Sequence, residues 1–460
     1  MTPAGEGGLS RRERAGLAVF ISAPFVVYLL FALLGFTKYL QYAALGGVAI
    51  ALATALFLRP REALWILLVY VYIGPAVPFA AVAGPLAFLI LAAVLYEMLR
   101  GEPNHVTDVL FWYATGFLIL IALGSFVFAR SYSSAISELG RYAKTLLVML
   151  LIVQLVRTPH DLRRMMNMIF IGVILTVIVG AVNLLLGIQT LNASVIEGDT
   201  TASYMIRFSG AHPNANLAAA LMCSSLPLGI FGVKHSSRGL RVLYVVGVVV
   251  VIAAMFATFS RSMVFPFTLV VIAMLVREAR SRRAYISIGV LVALGLVLAP
   301  HAYWERVFGL RQAFESETLD WSVYLRLIAM RTAWELFQHH PFTGVGLGNF
   351  SDAAAYQLFV RIPAHNTFLE ILVGLGIFGL LAYVLVILSG LRHSLAGARQ
   401  RWSHHPSWMR SASFYWSLSA ISICVSALFG NLMFRYYLWV PVAAGLVIGN
   451  LLREEKSSSL

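Results

Sequence analysis

The chain has 460 residues, of which 60% are hydrophobic and only 12% are charged. A soluble domain carries about 25% charged residues, so this composition excludes a soluble globular enzyme, a disordered scaffold and a fibrous repeat. The hydrocarbon core of a bilayer suits so many apolar side chains better than water does. Cys223 and Cys424 lie inside apolar runs, which indicates small packing residues and not a disulfide framework.

A transmembrane helix requires about 20 consecutive apolar residues. Fourteen segments approach this length, and they lie at residues 15–36, 40–58, 63–77, 80–99, 109–129, 145–157, 167–189, 217–233, 242–259, 263–276, 284–300, 366–390, 412–429 and 438–452. The connections at Gly74–Pro78 and Ser260–Ser262 are very short, so twelve spans is the alternative count. No small-residue cleavage site follows the first segment, which predicts an uncleaved span and not a signal peptide. The sequence therefore predicts an all-α, polytopic membrane protein.

Basic residues concentrate in alternate loops. With the N-terminus inside, the inside loops hold 22 of the 34 lysines and arginines, as the positive-inside rule expects. The net charge of +14 is thus explained by topology, and we expect no nucleic-acid partner. Both termini are predicted to be cytoplasmic.

The hydrophobic pattern divides the chain into three parts. Residues 1–300 are predicted to hold eleven spans with short loops, residues 301–365 a large outside loop, and residues 366–460 the C-terminal spans. The outside segments 190–216 and 301–365 are the two long connections. Long ordered loops are uncommon and are usually functional.

The second long loop contains a predicted amphipathic helix from Leu319 to His340. Apolar residues recur there at three- and four-residue steps, namely Val323, Leu327, Met330, Trp334 and Phe337. Pro341 and the following glycines are expected to end the helix. We expect this helix to lie on the outer membrane–water interface or to cap a cavity in the helix bundle.

The string Gly344-x-Gly346-x-Gly348 loosely resembles a nucleotide-binding loop. It follows a helix and a proline, no strand precedes it, and no Lys-Ser/Thr comes after it. This context argues against a nucleotide-binding role. A tight turn that allows backbone to approach a ligand is the favoured interpretation.

Polar residues on the predicted outside gather in four clusters. These clusters are Arg207 with His212 and Asn214, Ser260-Arg261-Ser262, Arg326 and Arg331 followed by Arg361, and His365-Asn366. Guanidinium groups gathered at one depth suit an oxyanion, since arginine makes paired hydrogen bonds to phosphate.

Each member of these clusters also has a purely structural interpretation. Arg207 could be a solvated loop charge, and Arg261 could extend from a helix end towards water. His212 could cap a turn, and His365 could bond a neighbouring helix end. Arg331 is spaced to pair with Glu335 one turn later, and this interpretation is favoured for Arg331, which we therefore leave out of the site.

Several motifs of other enzyme classes do not occur. The sequence has no Asp-x-Asp pair, no Cys/His cluster with metal-ligand spacing and no Gly-Lys-Ser/Thr. A metal-dependent nucleotide-sugar transferase would need paired carboxylates, and an ATPase would need a phosphate-binding loop. We therefore expect no metal and no cofactor, and a substrate that is already activated and membrane-borne.

The clusters resemble motifs of O-antigen ligases, which belong to a wider ligase and polymerase superfamily. His365-Asn366, nine residues and then Gly376-Ile-Phe-Gly379 match the pattern His-Asn/Ser/Gln, nine residues, Gly-x-x-Gly. Arg326 through Phe350, Phe208–Asn214 and Ser260-Arg261 resemble other blocks of the superfamily, in the same order. Together these motifs cover residues 207–379.

The resemblance implies a glycosyltransferase of the multi-span GT-C-like type that needs neither metal nor ATP. It implies a polysaccharide donor on undecaprenyl pyrophosphate and a hydroxyl acceptor on lipid A–core, with both lipids in the bacterial inner membrane and the site facing the periplasm. His365 matches the family's essential histidine, and Arg261 and Arg326 match its essential arginines. Arg207, Arg361, His212, Asn214 and Asn366 are added by their positions. We expect a monomer or a weak oligomer.

Other functions fit parts of the same pattern. A repeat-unit polymerase or a protein O-oligosaccharyltransferase would use the same donor and chemistry, and the spacing from His365 to Gly379 favours the ligase. A transporter or flippase is more distant, because the sequence shows no internal repeat and its charges gather at one outer face. A membrane scaffold would not need clustered arginines.

Overall fold

The structure is a computed structural model that describes residues 56–74, 83–186, 195–196, 205–212, 214–277, 289, 321–358 and 361–458. The chain divides into two units, Met1–Pro60 and Arg61–Leu460, and nearly all of the described residues belong to the second unit. Cys223 and Cys424 are both free thiols.

The described residues form thirteen α-helices. Their bounds are α1 Pro60–Ile73, α2 Ala83–Leu99, α3 Val109–Gly124, α4 Tyr132–Leu155, α5 Pro159–Leu185, α6 Ala215–His235, α7 Arg238–Ala257, α8 Val264–Arg277, α9 Trp321–His339, α10 Phe350–Leu358, α11 Thr367–Arg399, α12 Met409–Ala427 and α13 Tyr436–Ser457. Two 3₁₀ turns cover Ser125–Phe128 and Arg261–Met263. A two-residue antiparallel pair joins β1 Val195–Ile196 to β2 Met205–Ile206. The predicted all-α membrane fold is confirmed.

Short polar residues begin several of these helices. Thr158 and Asp161 form a capping box at the start of α5, where Pro159 occupies the first turn. Asn214 caps α6 and Asn366 caps α11, each by accepting hydrogen bonds from backbone N–H groups of the first turn. These caps satisfy donors that an apolar environment would otherwise leave without partners.

Most predicted spans correspond to helices. Six described helices are long and apolar enough to cross a membrane, namely Val109–Phe128, Pro159–Leu185, Ala215–His235, Arg238–Ala257, Thr367–Arg399 and Tyr436–Ser457. The predicted segment 145–157 is the C-terminal part of the longer helix α4. The predicted spans 15–36 and 284–300 and most of 40–58 lie outside the described residues, so the count of twelve to fourteen remains a prediction.

Helices α3 and α11 run in opposite directions and define two polar ends. At one end, Arg392 Nη2 near the end of α11 donates to Asp108 Oδ2 before α3, at 2.6 Å. At the other end, the backbone N–H of Leu347 donates to Ser125 Oγ, which follows α3, at 3.1 Å. The two predicted inside loops that hold Asp108 and Arg392 therefore meet each other, and so do the two predicted outside loops that hold Ser125 and Leu347. Helix α11 packs against α13, α12 and α3.

Helix α9 confirms the predicted helix in the long loop but packs with a different face. Ala329, Ala333 and Leu336 are buried, whereas Leu327 and Trp334 of the predicted apolar face are 46% and 51% exposed. The buried face belongs to a core that also contains Val345, Phe350, Ala353, Ala354, Ala364 and Val373. The small alanines allow α9 to lie close to the loop and to α11. The prediction from the sequence counted only large apolar residues and therefore did not identify this buried face.

The glycine string forms a tight turn that contacts the backbone of α11. Gly344, Gly346 and Gly348 all have positive φ values, of 65°, 100° and 69°. The backbone N–H groups of Val345 and Gly346 donate to the carbonyls of Val373 and Gly374, at 2.9 and 3.0 Å. Because Gly344 has no side chain, this loop can approach the backbone of α11 closely. The sequence predicted that the same kind of turn allows backbone to approach a ligand.

Helix α11 is broken where this loop contacts it. Gly376 has φ 70° and ψ −174°, and the N–H of Ile377 donates to the carbonyl of Pro341 at 2.9 Å. A Cβ atom on Gly376 would collide with the carbonyl group of Phe342. The first glycine of the Gly-x-x-Gly motif therefore makes the break and admits the loop.

We expect Gly376→Ala to destabilise the protein. The left-handed backbone conformation alone costs a residue with a Cβ about 1–3 kcal/mol, and the collision adds to this cost. Thermal unfolding in detergent should show a clear fall in Tm. Gly116→Ala is the matched control, because no atom lies within 4 Å of the added Cβ in α3, and alanine favours helices. Equal Tm values for the two variants would contradict this account.

Candidate active site

A cavity of about 190 Å³ brings together residues from distant parts of the chain. Its lining residues are Asn214, Asn216, Leu217, Ala220, Ser262, Met263, Pro363, His365, Ser426, Phe429, Gly430, Asn431, Leu432 and Arg435. Three of the four clusters found in the sequence contribute to this wall. The cavity therefore is the candidate site.

His365 lies on the cavity wall in a strained backbone conformation. Its φ is 52°, and Phe259 at 51° is the other non-glycine residue with positive φ in the described part of the chain. Such a conformation costs about 1–3 kcal/mol and persists where the surroundings fix it. Phe259 directly precedes Ser260-Arg261, so both strained positions lie at predicted site motifs.

The first turn of α11 fixes another part of the cavity lining. Thr367 Oγ1 donates to the carbonyl of Gly430 at 2.7 Å and accepts from the N–H of Leu432 at 2.8 Å. Asn431 Nδ2 donates to the buried Glu370 carboxylate at 2.8 Å. That carboxylate also accepts a hydrogen bond from the N–H of Ala364. The segment that carries His365 is thus tied to the segment 430–432.

The environment of His365 favours a neutral imidazole. Burial lowers the pKa of His365 to about 4, and the positive charge of the nearby Arg326 contributes to the shift. The structure therefore places Arg326, which lies on α9, within electrostatic reach of His365. A neutral imidazole at neutral pH has a lone pair available to accept a proton.

Arg207 stands behind the cavity wall. It is 9% exposed, its Nε donates to the carbonyl of Thr258 at 2.8 Å, and its Nη2 donates to Asn216 Oδ1 at 2.7 Å. Asn216 lines the cavity. Arg207 is thus a buried residue that joins the end of α7 to the start of α6, and not a solvated loop charge.

Arg261 begins the 3₁₀ turn whose next two residues, Ser262 and Met263, line the cavity. Its side chain is half-buried. The side chain of Asn214 both lines the cavity and caps α6. The predicted clusters at 207–214 and 260–262 therefore meet beside His365.

His212 is fully buried next to this wall. Its ring makes an edge contact with Tyr437, with 5.9 Å between the ring centroids. Burial lowers the pKa of His212 to about 4, and the charge of Arg435 acts in the same direction. The neutral form of His212 is therefore favoured at neutral pH, and its ring packs against Tyr437.

Two predicted residues have other positions. The side chain of Asn366 accepts a hydrogen bond from the N–H of Leu369 at 3.1 Å, which is a helix-capping role. Arg361 Nη2 lies 2.9 Å from Asp352 Oδ1 and borders a second cavity, not the cavity of His365. Arg331 pairs with Glu335 at 2.9 Å, as the sequence indicated.

Sequence reasoning missed Arg435, Asn216 and Asn431. Arg435 lines the cavity and occupies the position just before α13, and its charge also acts on Glu138. A signal existed for Arg435, because it is a basic residue in a predicted outside connection between two apolar spans. No sequence pattern distinguishes the two asparagines from ordinary turn residues.

The cavity thus combines a neutral imidazole with the amide groups of three asparagines and the guanidinium group of Arg435, and the charge of Arg326 acts on the imidazole. Among the residues with described positions, no group of three or more His, Cys, Asp or Glu side chains is placed to share a metal ion. Guanidinium groups bind phosphate oxygens, and an imidazole accepts a proton from a hydroxyl group. The arrangement suits transfer of a group from a phosphate leaving group to a hydroxyl.

Comparison with known families agrees with this chemistry. The family model described as O-antigen ligase matches residues 246–384, which run from α7 into α11. The match contains Ser260-Arg261, α9, the glycine string and His365 through Gly379. Residues 246–384 are thus similar to the O-antigen ligase family, and this match supports the predicted relation to the superfamily of O-antigen ligases and polymerases. Comparison with curated proteins gives no match.

We expect Arg207→Ala to lower stability. The change leaves the buried carbonyl of Thr258 and the amide of Asn216 without this charged donor, and such bonds contribute about 1.5–3 kcal/mol each. Tm in detergent should fall clearly. Arg331→Ala is the matched control, since exposed helix pairs contribute only about 0.3–0.5 kcal/mol. A Tm for Arg207→Ala no lower than that of Arg331→Ala would contradict the buried role.

Proposed function

We propose that this protein is an O-antigen ligase. It transfers a polysaccharide from undecaprenyl pyrophosphate to a sugar hydroxyl of lipid A–core, at the periplasmic face of the bacterial inner membrane, with both termini in the cytoplasm. The observation that carries the proposal is the neutral His365 imidazole on a cavity wall beside Arg326. The match to the O-antigen ligase family over residues 246–384 supports the same reaction.

His365 acts as the general base. It takes the proton of the acceptor hydroxyl as that oxygen attacks the anomeric carbon of the donor. The glycosidic bond forms on one side of the carbon while the bond to the pyrophosphate oxygen breaks on the other, so a single displacement inverts the configuration. General base catalysis of this kind contributes about 10²–10⁴-fold to the rate.

The arginines bind the leaving group. Negative charge grows on the pyrophosphate as the bond between its oxygen and the anomeric carbon breaks. Fixed guanidinium groups therefore stabilise the transition state more than the ground state. Arg261 and Arg326 have this role, and Arg435 joins them because it lines the cavity. Arg207 acts through Asn216, which it holds on the wall. The polyprenyl pyrophosphate already stores the driving energy, so the reaction needs no ATP. The proposed reaction also uses no metal ion, and the protein works as a monomer or a weak oligomer.

We expect His365→Ala to abolish transfer and leave the protein folded and inserted. The assay combines purified protein, defined undecaprenyl-pyrophosphate donor and lipid A–core acceptor, with EDTA present. A ligase yields capped lipopolysaccharide, whereas a polymerase yields longer donor chains. His339→Ala is the matched control, because His339 lies exposed at the end of α9. Wild-type transfer by His365→Ala would remove this residue from the mechanism, and inhibition by EDTA would contradict the metal-free reaction.

The pH dependence of transfer should report the pKa of His365. Since that pKa is lowered to about 4, wild-type kcat/KM should stay flat as the pH falls to about 5 and decline below that. Arg326→Gln removes a positive charge that opposes protonation, so the pKa rises and the acid limb moves to higher pH. Arg331→Gln serves as the control and should leave the limb in place. If the acid limb does not move in Arg326→Gln, the charge of Arg326 does not affect the pKa of His365.

A further inference from the structure

A second cavity of about 400 Å³ lies between the start of α4 and α10. It is lined by Arg130, Ser131, Asp352, Ala355, Tyr356 and Arg361. None of these residues lines the cavity of His365. The proposed transfer reaction does not use this cavity, although it carries two arginines.

The charged groups of this cavity suit an oxyanion. Arg361 Nη2 lies 2.9 Å from Asp352 Oδ1, and the other oxygen of Asp352 accepts from Ser134 Oγ at 2.7 Å. The guanidinium carbon of Arg130 lies 4.8 Å from the centroid of the Tyr356 ring. Two guanidinium groups thus face one carboxylate among the lining residues, and the excess positive charge favours a phosphate or carboxylate group.

The remaining groups suit a sugar. The Tyr356 side chain is 74% exposed and offers a flat apolar face with a hydroxyl at its edge. Ser131 and Asp352 add a hydroxyl and a carboxylate to the same wall. A few polar groups around an aromatic surface are typical of sites that orient a small ligand.

The two cavities lie within reach of one saccharide. Arg361 precedes His365 by four residues, and an extended backbone covers at most about 3.3–3.6 Å per residue, so their Cα atoms are within about 14 Å. A saccharide whose reacting end lies at His365 can therefore place a neighbouring sugar against Arg361. This step rests on the proposed transfer at His365.

We propose that the cavity between α4 and α10 binds an anionic sugar, one that carries a phosphate or carboxylate group, next to the reacting sugar of a lipid-linked substrate. Arg130 and Arg361 bind the anionic group, and Tyr356 packs against the ring. The cavity thereby selects charged saccharides for the site at His365.

Equilibrium binding tests this proposal without turnover. The probes are a deacylated, phosphorylated core oligosaccharide and the same oligosaccharide after phosphatase treatment, added to full-length protein in nanodiscs. The wild type should bind the phosphorylated probe about tenfold more tightly, and Arg130→Gln with Arg361→Gln should remove that preference. Arg130→Gln alone, which leaves the Arg361–Asp352 ion pair in place, should reduce it. Arg331→Gln and His365→Ala should retain it.

Equal affinity of the wild type for the two probes, or no binding of either, would overturn the proposal. If the preference is present but no transfer occurs, the site stands and the proposed function fails. In the transfer assay, a roughly tenfold rise in KM for the acceptor in the double variant assigns the anionic sugar to the acceptor. The same rise for the donor assigns it to the donor, and no rise for either substrate refutes the link to His365.

Discussion

Three backbone hydrogen bonds between the glycine-rich loop and α11 hold the candidate site together. They join Val345, Gly346 and Pro341 to the broken stretch of α11 around Gly376. A Cβ atom on Gly344 or Gly376 would collide with the facing backbone, so the junction depends on glycine at these two positions. Through this junction the long loop places α9, and hence Arg326, beside the turn that carries His365. The Gly-x-x-Gly part of the motif therefore acts on the site through the backbone.

The same junction explains the placement of polar groups at one end of the bundle. Helix α11 begins at Thr367, and its first turn holds Gly430 and Leu432 by hydrogen bonds to the Thr367 hydroxyl group. Glu370 adds a bond to Asn431. Strain at His365 is maintained by this surrounding structure, which fixes part of the cavity lining. The neutral imidazole of His365 and the guanidinium group of Arg435 then lie on the wall of one small cavity.

The arginines divide into groups with different physical roles. Arg207 is buried and joins two helices, whereas Arg331 forms an exposed pair with Glu335. Arg326 influences the protonation of His365 from α9, and Arg435 reaches the same cavity from the start of α13. Arg361 belongs with Asp352 in the second cavity. Arginine side chains in this protein are thus buried between helices, paired on the surface or placed on a cavity wall, according to the surface that each one meets.

The sequence by itself determined the all-α membrane fold, the helix in the long loop and the clusters that hold Arg261, Arg326 and His365, because hydrophobic runs and short motifs are local signals. Only the tertiary structure decided that Arg435 and Asn216 line the cavity, that Arg361 faces a second cavity and that the glycine-rich loop contacts the backbone of α11. It also decided which face of α9 is buried, since alanines at Ala329 and Ala333 carry a weak hydrophobic signal but allow close packing. These outcomes depend on which segments contact each other in space. Contacts between residues far apart in the chain produce no local pattern in the sequence, so hydrophobic periodicity cannot predict them.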